Sequence, residues 1–203
     1  MNGFATNHGL GIGDHLRRCY FSLLYAANND PWGYESREYE RRKYETTLNA
    51  LKGMRYARAL EVGCSIGVFT AMLAERVDYL LAIDVAPAAV RRARSRLGNL
   101  QNVEVTRAAL PEWSPPGPFD LIVCSEVLYY LSETALLRSL RTLECSLTPT
   151  GSIVAVHRRG KGRSSPLHGD TVHELLLRHT TLRHAHSEIH SSFRLDRLDA
   201  VTE

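Results

Sequence analysis

One segment constrains this chain more than any other: Ala59-Leu60-Glu61-Val62-Gly63-Cys64-Ser65-Ile66-Gly67-Val68-Phe69-Thr70. It opens as an apolar run of strand length and closes as the start of a helix, so a tight turn must join the two across Gly63–Gly67. Glycine in such a turn allows backbone angles that a side chain obstructs, and it lets a ligand approach the main chain closely. The helix that follows offers unpaired amides to a polar or anionic ligand. A dinucleotide-binding turn would follow G-x-G-x-x-G. Here Gly63, Ser65 and Gly67 recur every second residue, with Glu61 just before them. Taken alone, the segment serves equally well as a structural strand-to-helix turn.

The alternation continues along the chain. Apolar patterning predicts strands at Arg58–Val62, Tyr79–Ile83, Val103–Arg107, Phe119–Cys124 and Ser152–His157. Between and after them it predicts helices at Val68–Arg76, Pro87–Leu97, Thr134–Ser146 and Asp170–His179. Strands that read as apolar runs and alternate with helices imply a mainly parallel sheet, buried on both faces. Two further strands, Leu182–Ile189 and Phe193–Val201, are close enough to pair antiparallel across Ser191-Ser192. The expected fold class is therefore α/β: a Rossmann-like, doubly wound, mainly parallel seven-stranded sheet with helices on both faces. Ahead of it, one helix is expected at His15–Ala27, ended by Asn28-Asn29-Asp30-Pro31, and another at Ser36–Leu51, stopping at Gly53. Met1–Gly13, rich in Gly and Asn, is expected to be poorly ordered.

Composition removes several functions. The 203 residues suit one domain. The net charge of +3 is mild. The basic clusters Arg91, Arg92, Arg94, Arg96 and Arg158, Arg159, Lys161, Arg163 lack the bias and interleaved aromatics of a nucleic-acid binder. No apolar run is long enough to span a bilayer, and Met1–Asp14 lacks the pattern of a secretory signal, so a cytoplasmic protein is expected. Cys19, Cys64, Cys124 and Cys145 show no CxxC spacing, so neither metal nor disulfides are expected.

Asp84 ends the strand after the glycine turn, where an acidic residue about 20 positions on is placed to accept ribose hydroxyls. A helix cap is the alternative, but Asp84 lies early for that, with Pro87 the better first helical residue. Together, E-x-G-x-[GS]-x-G, Asp84 and Phe119-Asp120-Leu121-Ile122-Val123-Cys124-Ser125-Glu126-Val127-Leu128-Tyr129-Tyr130-Leu131 resemble the class I S-adenosylmethionine (SAM)-dependent methyltransferases. The resemblance implies that Glu61, Gly63, Cys64, Ser65 and Gly67 surround SAM, and that Asp84 and Val85 lie at its ribose. Ala109 and Leu110 would flank the adenine, although many relatives carry Asp where Ala109 stands. Ser125, Glu126 and Val127 would face the methionine end. Leu147-Thr148-Pro149-Thr150-Gly151 matches the family's structural turn before the fifth strand.

The N-terminal pattern Asp30-Pro31-Trp32-Gly33-Tyr34 … Tyr39-Glu40-Arg41-Arg42-Lys43-Tyr44 is similar to the rhizobial nodulation N-methyltransferases of the NodS family. The likeness extends over most of the chain. It implies one methyltransferase domain over 1–203, in which residues 1–54 cap a Rossmann-like core of 55–203. It also implies that Trp32, Tyr39 and Arg42 reach the cofactor, a cation there being suited to the SAM carboxylate. The implied partner is a deacetylated chitooligosaccharide whose free non-reducing glucosamine amine is methylated in Nod-factor synthesis. Trp32, Tyr129 and Tyr130 are the candidates to stack on the sugar. Glu126, Tyr130 and His157 are the candidate proton acceptors. A small-molecule O-methyltransferase and a non-catalytic SAM-binding module stay open on the same motifs, while the glycine spacing argues against an NAD-dependent oxidoreductase.

Overall fold

The computed structural model describes residues 11–51, 55–160 and 165–201. The stop expected at Gly53, residues 1–10 of the stretch Met1–Gly13 expected to be poorly ordered, and Lys161 and Arg163 of the second basic cluster lie outside these residues; Ile12 and Gly13, from that same stretch, instead open a helix. Seven strands form one sheet: β1 (Tyr56–Val62), β2 (Val77–Asp84), β3 (Val103–Arg107), β4 (Phe119–Ser125), β5 (Leu147–Arg158), β6 (Arg183–Ile189) and β7 (Phe193–Asp199). Their order is β3-β2-β1-β4-β5-β7-β6. The first five run parallel; β7 lies antiparallel between β5 and β6, so the sheet is mixed. Helices α1 (Ile12–Ala27) and α2 (Glu38–Asn49) precede the sheet, and α3 (Val68–Ala74), α4 (Pro87–Leu97), α5 (Glu133–Glu144) and α6 (Gly169–His179) connect its strands.

The apolar strands are buried on both faces, as their composition required. On one face Leu60, Ile83, Ile122 and Ile153 meet the helices α5 and α6 through Leu136, Leu140 and Leu176. On the other, Leu80, Leu121, Val123 and Val154 meet Phe69, Leu73 and Tyr44. The Tyr44 ring of α2 stacks on Phe69 of α3 at 5.1 Å, which docks the second helix against the core.

The Leu147–Gly151 turn is a correction: it is absorbed into β5. Pairing slips from Phe119↔Leu147 to Leu121↔Ser152, so the extra residues bulge within the strand. Gly151 is what allows this, because a Cβ there would stand 2.9 Å from the carbonyl oxygen of Phe119. A 3-10 turn at Leu128–Tyr130, which periodicity did not signal, follows β4.

Helix α1 lies over the loops that follow β1, β3 and β4. Asp14 accepts hydrogen bonds from the backbone and hydroxyl of Ser132 (3.0 and 2.8 Å). Arg17 Nε donates to the carbonyl of Tyr130 (2.7 Å), and Arg18 to that of Leu110 (2.8 Å). Tyr25 bonds the Ser65 hydroxyl, and Arg92 of α4 donates to the carbonyl of Tyr25 (2.7 Å).

Ile122 is completely buried in the central strand. Ile122→Ala is expected to lower stability by about 2–5 kcal/mol, measured as a fall in the urea unfolding midpoint with unchanged slope.

Candidate active site

The turn after β1 is built from left-handed backbone. Gly63 has φ +83, and a Cβ there would meet Val127 Cβ at 3.0 Å, so the turn and the β4 loop touch only because Gly63 lacks a side chain. Ser65 holds φ 53, a conformation that costs a non-glycine residue about 1–3 kcal/mol. Asp84 holds that conformation in place: its Oδ2 accepts the Ser65 N–H (2.9 Å) and its Oδ1 the Ala86 N–H (2.8 Å). The carboxylate therefore ties the β1 and β2 loops together. Gly67, at φ +81, does not line a cavity; its missing side chain makes room for Ala93 and Leu97 of α4.

Two cavities meet at this turn. The larger, about 860 Å³, is walled by Asp84, Val85, Ala109 and Leu110 on one side and by Glu126, Val127 and Tyr130 on another. Its roof is aromatic: Phe21, Tyr25, Trp32 and Tyr34. The Trp32 ring lies 5.4 Å from Tyr25 and 5.8 Å from Tyr34, and Phe21 meets Tyr130 edge-on at 4.6 Å. The smaller, about 320 Å³, is lined by Glu40, Glu61, Cys64 and Ser125. Tyr34, Gly63, Ser65 and Glu126 line both.

The smaller cavity is acidic. Glu61 is buried, with Oε2 lacking any hydrogen-bond partner. Burial pushes its carboxyl up to about 7; Thr70 opposes the shift and the charge of Asp84 adds to it. Glu126 sits in left-handed backbone (φ 55) and joins three elements. Its Oε1 accepts from Lys43 Nζ (2.7 Å) and from the Arg158 N–H (2.9 Å), and its Oε2 from the Tyr129 hydroxyl. Lys43, fully buried, also pairs with Glu40 at 2.7 Å. Burial raises the Glu40 carboxyl despite that pair.

An unpartnered buried carboxylate oxygen, a turn whose backbone is bare at Gly63, and an acidic shared wall fit a cationic, nucleoside-bearing ligand such as SAM. Comparison with known proteins agrees. The sequence model of the family Nodulation protein S (NodS) matches residues 23–163.

The chain belongs to the NodS family.

It is 36% identical over 151 residues to Nodulation protein S of Sinorhizobium fredii strain NGR234, covering 72% of this chain and 70% of that one. With Nodulation protein S of Bradyrhizobium diazoefficiens it shares 35% over 130 residues, 63% of this chain and 62% of that one. Among solved structures, N-methyltransferase NodS from Bradyrhizobium japonicum WM9 in complex with S-adenosyl-L-homocysteine superposes with a TM-score of 0.80 at 26% identity. That match covers 90% of this chain and 97% of the other. As a member of the NodS family, the chain is a SAM-dependent N-methyltransferase.

Several expected site residues are brought together, and several are not. Trp32, Glu61, Gly63, Cys64, Ser65, Asp84, Val85, Ala109, Leu110, Ser125, Glu126, Val127 and Tyr130 line the two cavities. Arg42 does not: it is 73% exposed and pairs with Glu38 at 3.0 Å, so it is no candidate for the cofactor carboxylate. Tyr39 turns away as well, packing between Lys43 and the Phe193 ring. Tyr129 is buried and anchors Glu126 rather than lining a cavity. His157 is entirely buried, its Nε2 taken by the N–H of Leu128 (3.2 Å), which removes it as a base facing substrate. Tyr130 stays protonated near neutral pH, since burial pushes its phenol up to about 12.

Sequence reading missed Phe21, Tyr25, Tyr34, Arg17, Arg18 and Lys43. The four-residue spacing of Phe21 and Tyr25 puts both on one helix face and was a usable signal. For Lys43, beside two other cations in the same helix, the sequence carried none.

The folded chain keeps a proton on Glu61 that the unfolded chain releases near the ordinary value of 4.5. The folded state therefore binds more protons in this range, and stability falls as pH rises from 4.5 toward 7, by about 3 kcal/mol. Glu61→Gln is expected to flatten that slope, read from urea midpoints at pH 5, 6 and 8.

Proposed function

We propose that the chain methylates the free amine of the deacetylated non-reducing glucosamine of a chitooligosaccharide, the Nod-factor precursor. The observation that carries the acceptor class is one cavity with an aromatic roof and an acidic wall. Trp32 and Tyr130 offer apolar faces to a sugar ring, and Glu126 Oε2 keeps one acceptor site for an amine N–H. Membership of a nodulation family whose solved relative is named an N-methyltransferase supports an amine acceptor. Glu61, Gly63, Cys64, Ser65 and Ser125 hold the methionine end of SAM; Asp84 and Val85 hold the ribose; Ala109 and Leu110 flank the adenine, with Arg18 bracing the Leu110 carbonyl. On this reading the chain is one cytoplasmic methyltransferase domain, with residues 1–54 capping the core of 55–203.

When bound, SAM supplies a methyl group already activated by its cationic sulfur. The chain contributes placement: holding two reactants in a productive geometry lowers a barrier by about 7–11 kcal/mol. The roof formed by α1 and the Trp32 loop excludes water, and Glu126 orients the amine. With His157 turned away and Tyr130 protonated, the amine arrives neutral from solution. Activity accordingly rises with pH until the acceptor amine is deprotonated.

Incubation with radiolabelled SAM is expected to label deacetylated chitooligosaccharides and not their fully N-acetylated counterparts. Equal label in both, or in neither, defeats the amine reading. In calorimetric titration with S-adenosyl-L-homocysteine, Gly63→Ala and Asp84→Ala should each lose about tenfold or more in affinity, about 1.4 kcal/mol. Arg42→Ala should bind as the unaltered chain does.

A further inference from the structure

Beneath the Leu128–Tyr130 turn, three side chains from different elements form a line of hydrogen bonds that the proposed reaction does not use. His157 of β5, His173 of α6 and Asp196 of β7 are each buried to 1% exposure or less. His157 Nε2 accepts the Leu128 N–H at 3.2 Å. A neutral imidazole has one donor and one acceptor nitrogen, so the proton of His157 must sit on Nδ1. That nitrogen lies 3.2 Å from His173 Nε2, which must then accept. The proton of His173 is thereby placed on its own Nδ1, 2.6 Å from Asp196 Oδ2.

Asp196 is suited to end such a line. Burial works against its charge, but hydrogen bonds from His173 and Ser187 and the nearby Arg194 outweigh burial and hold the carboxyl well below its usual range. Its other oxygen accepts from His184 at 2.9 Å. At the far end, burial above all pushes His157 well below the usual histidine value, so the ring stays neutral. Reversing the tautomers would set an N–H of His157 against the N–H of Leu128 and leave both unsatisfied.

We propose that Asp196, acting through His173, sets the tautomer of His157 and so fixes the turn that presents Tyr130 to the active site and holds Tyr129 against Glu126. His157 and His173 are positioning residues: they touch neither cavity, and they act through the main chain of Leu128. The link matters because Val127 and Tyr130 wall the larger cavity on either side of Leu128 and Tyr129, and Tyr129 in turn holds Glu126. A small displacement of that turn moves the acidic wall and the aromatic wall together. The catalytic part of this inference rests on the methyltransferase reading; the tautomers do not.

Two measurements separate those parts. Imidazole nitrogen NMR of the unaltered protein should show His157 and His173 both protonated on Nδ1. An Nε2–H signal for His157 overturns the relay, whatever the enzyme does. His173→Leu removes the acceptor for His157 Nδ1–H. It should introduce an Nε2–H population at His157 and lower kcat about tenfold or more, with S-adenosyl-L-homocysteine affinity within about twofold of the original. His173→Gln, whose side-chain oxygen can accept in place of Nε2, should restore most of kcat. Unchanged kcat in a folded His173→Leu, or equal loss in both variants, rejects the positioning role. Should His173→Leu fail to fold, the unaltered protein's spectrum still decides the tautomers. Should the unaltered protein methylate no amine, the function fails while the spectrum still stands.

Discussion

The arrangement depends on one buried ion pair. Lys43 of α2 and Glu126 after β4 meet at 2.7 Å with the lysine side chain wholly out of water. Lys43 also pairs with Glu40, so removing the lysine leaves two buried carboxylates without their cation and costs about 3–5 kcal/mol. The pair also holds Glu126 in left-handed backbone, which a residue with a side chain does not adopt unless its surroundings impose it. Through Glu126 it reaches the Arg158 N–H at the end of β5 and the Tyr129 hydroxyl in the 3-10 turn. One contact thus joins helix α2, two adjacent parallel strands and the wall shared by both cavities.

Around that contact the site is assembled from loops at one edge of the sheet, the edge where parallel α/β sheets bind ligands. Asp84 ties the β1 and β2 loops, Glu126 ties the β4 and β5 ends, and α1 spans the gap between them. The helix is fastened on both sides, by Asp14 to Ser132 and by Arg18 to Leu110. The side that it turns inward is aromatic, with Phe21 and Tyr25 packed against Trp32. The result is a cavity that is acidic where a cation would sit and apolar where a flat ring would lie.

Much of this is legible in the sequence. Gly63, Ser65, Gly67 and Asp84 announced the turn after β1 and its tie to β2 because their geometry is local: a strand, a turn and the next strand's last residue hold a fixed relation in any βαβ unit. Helix α4 and strand β3 came out at their expected limits, each bounded by clear local signals such as Pro87. The Leu147–Gly151 segment was misplaced because Gly and Pro mark a turn and a bulge alike, and only pairing with Phe119 distinguishes them.

What the sequence determined by itself was the fold class and the order of strands and helices, which follow from periodicity, and the glycine turn, which follows from spacing; the family came from the likeness of its motifs to known proteins. What only the tertiary structure decided was which side chain enters the site. Arg42 and Lys43 are neighbours with the same charge, yet a helix turns about 100° per residue. The docking of Tyr44 on Phe69 sends one to solvent and buries the other. His157 lies one residue before the end of its strand, where the sequence placed a candidate base, and the packing of α6 and β7 behind it converts it into a support for the main chain. Spacing specifies positions along an element, whereas the rotation of that element about its axis is set by what it packs against.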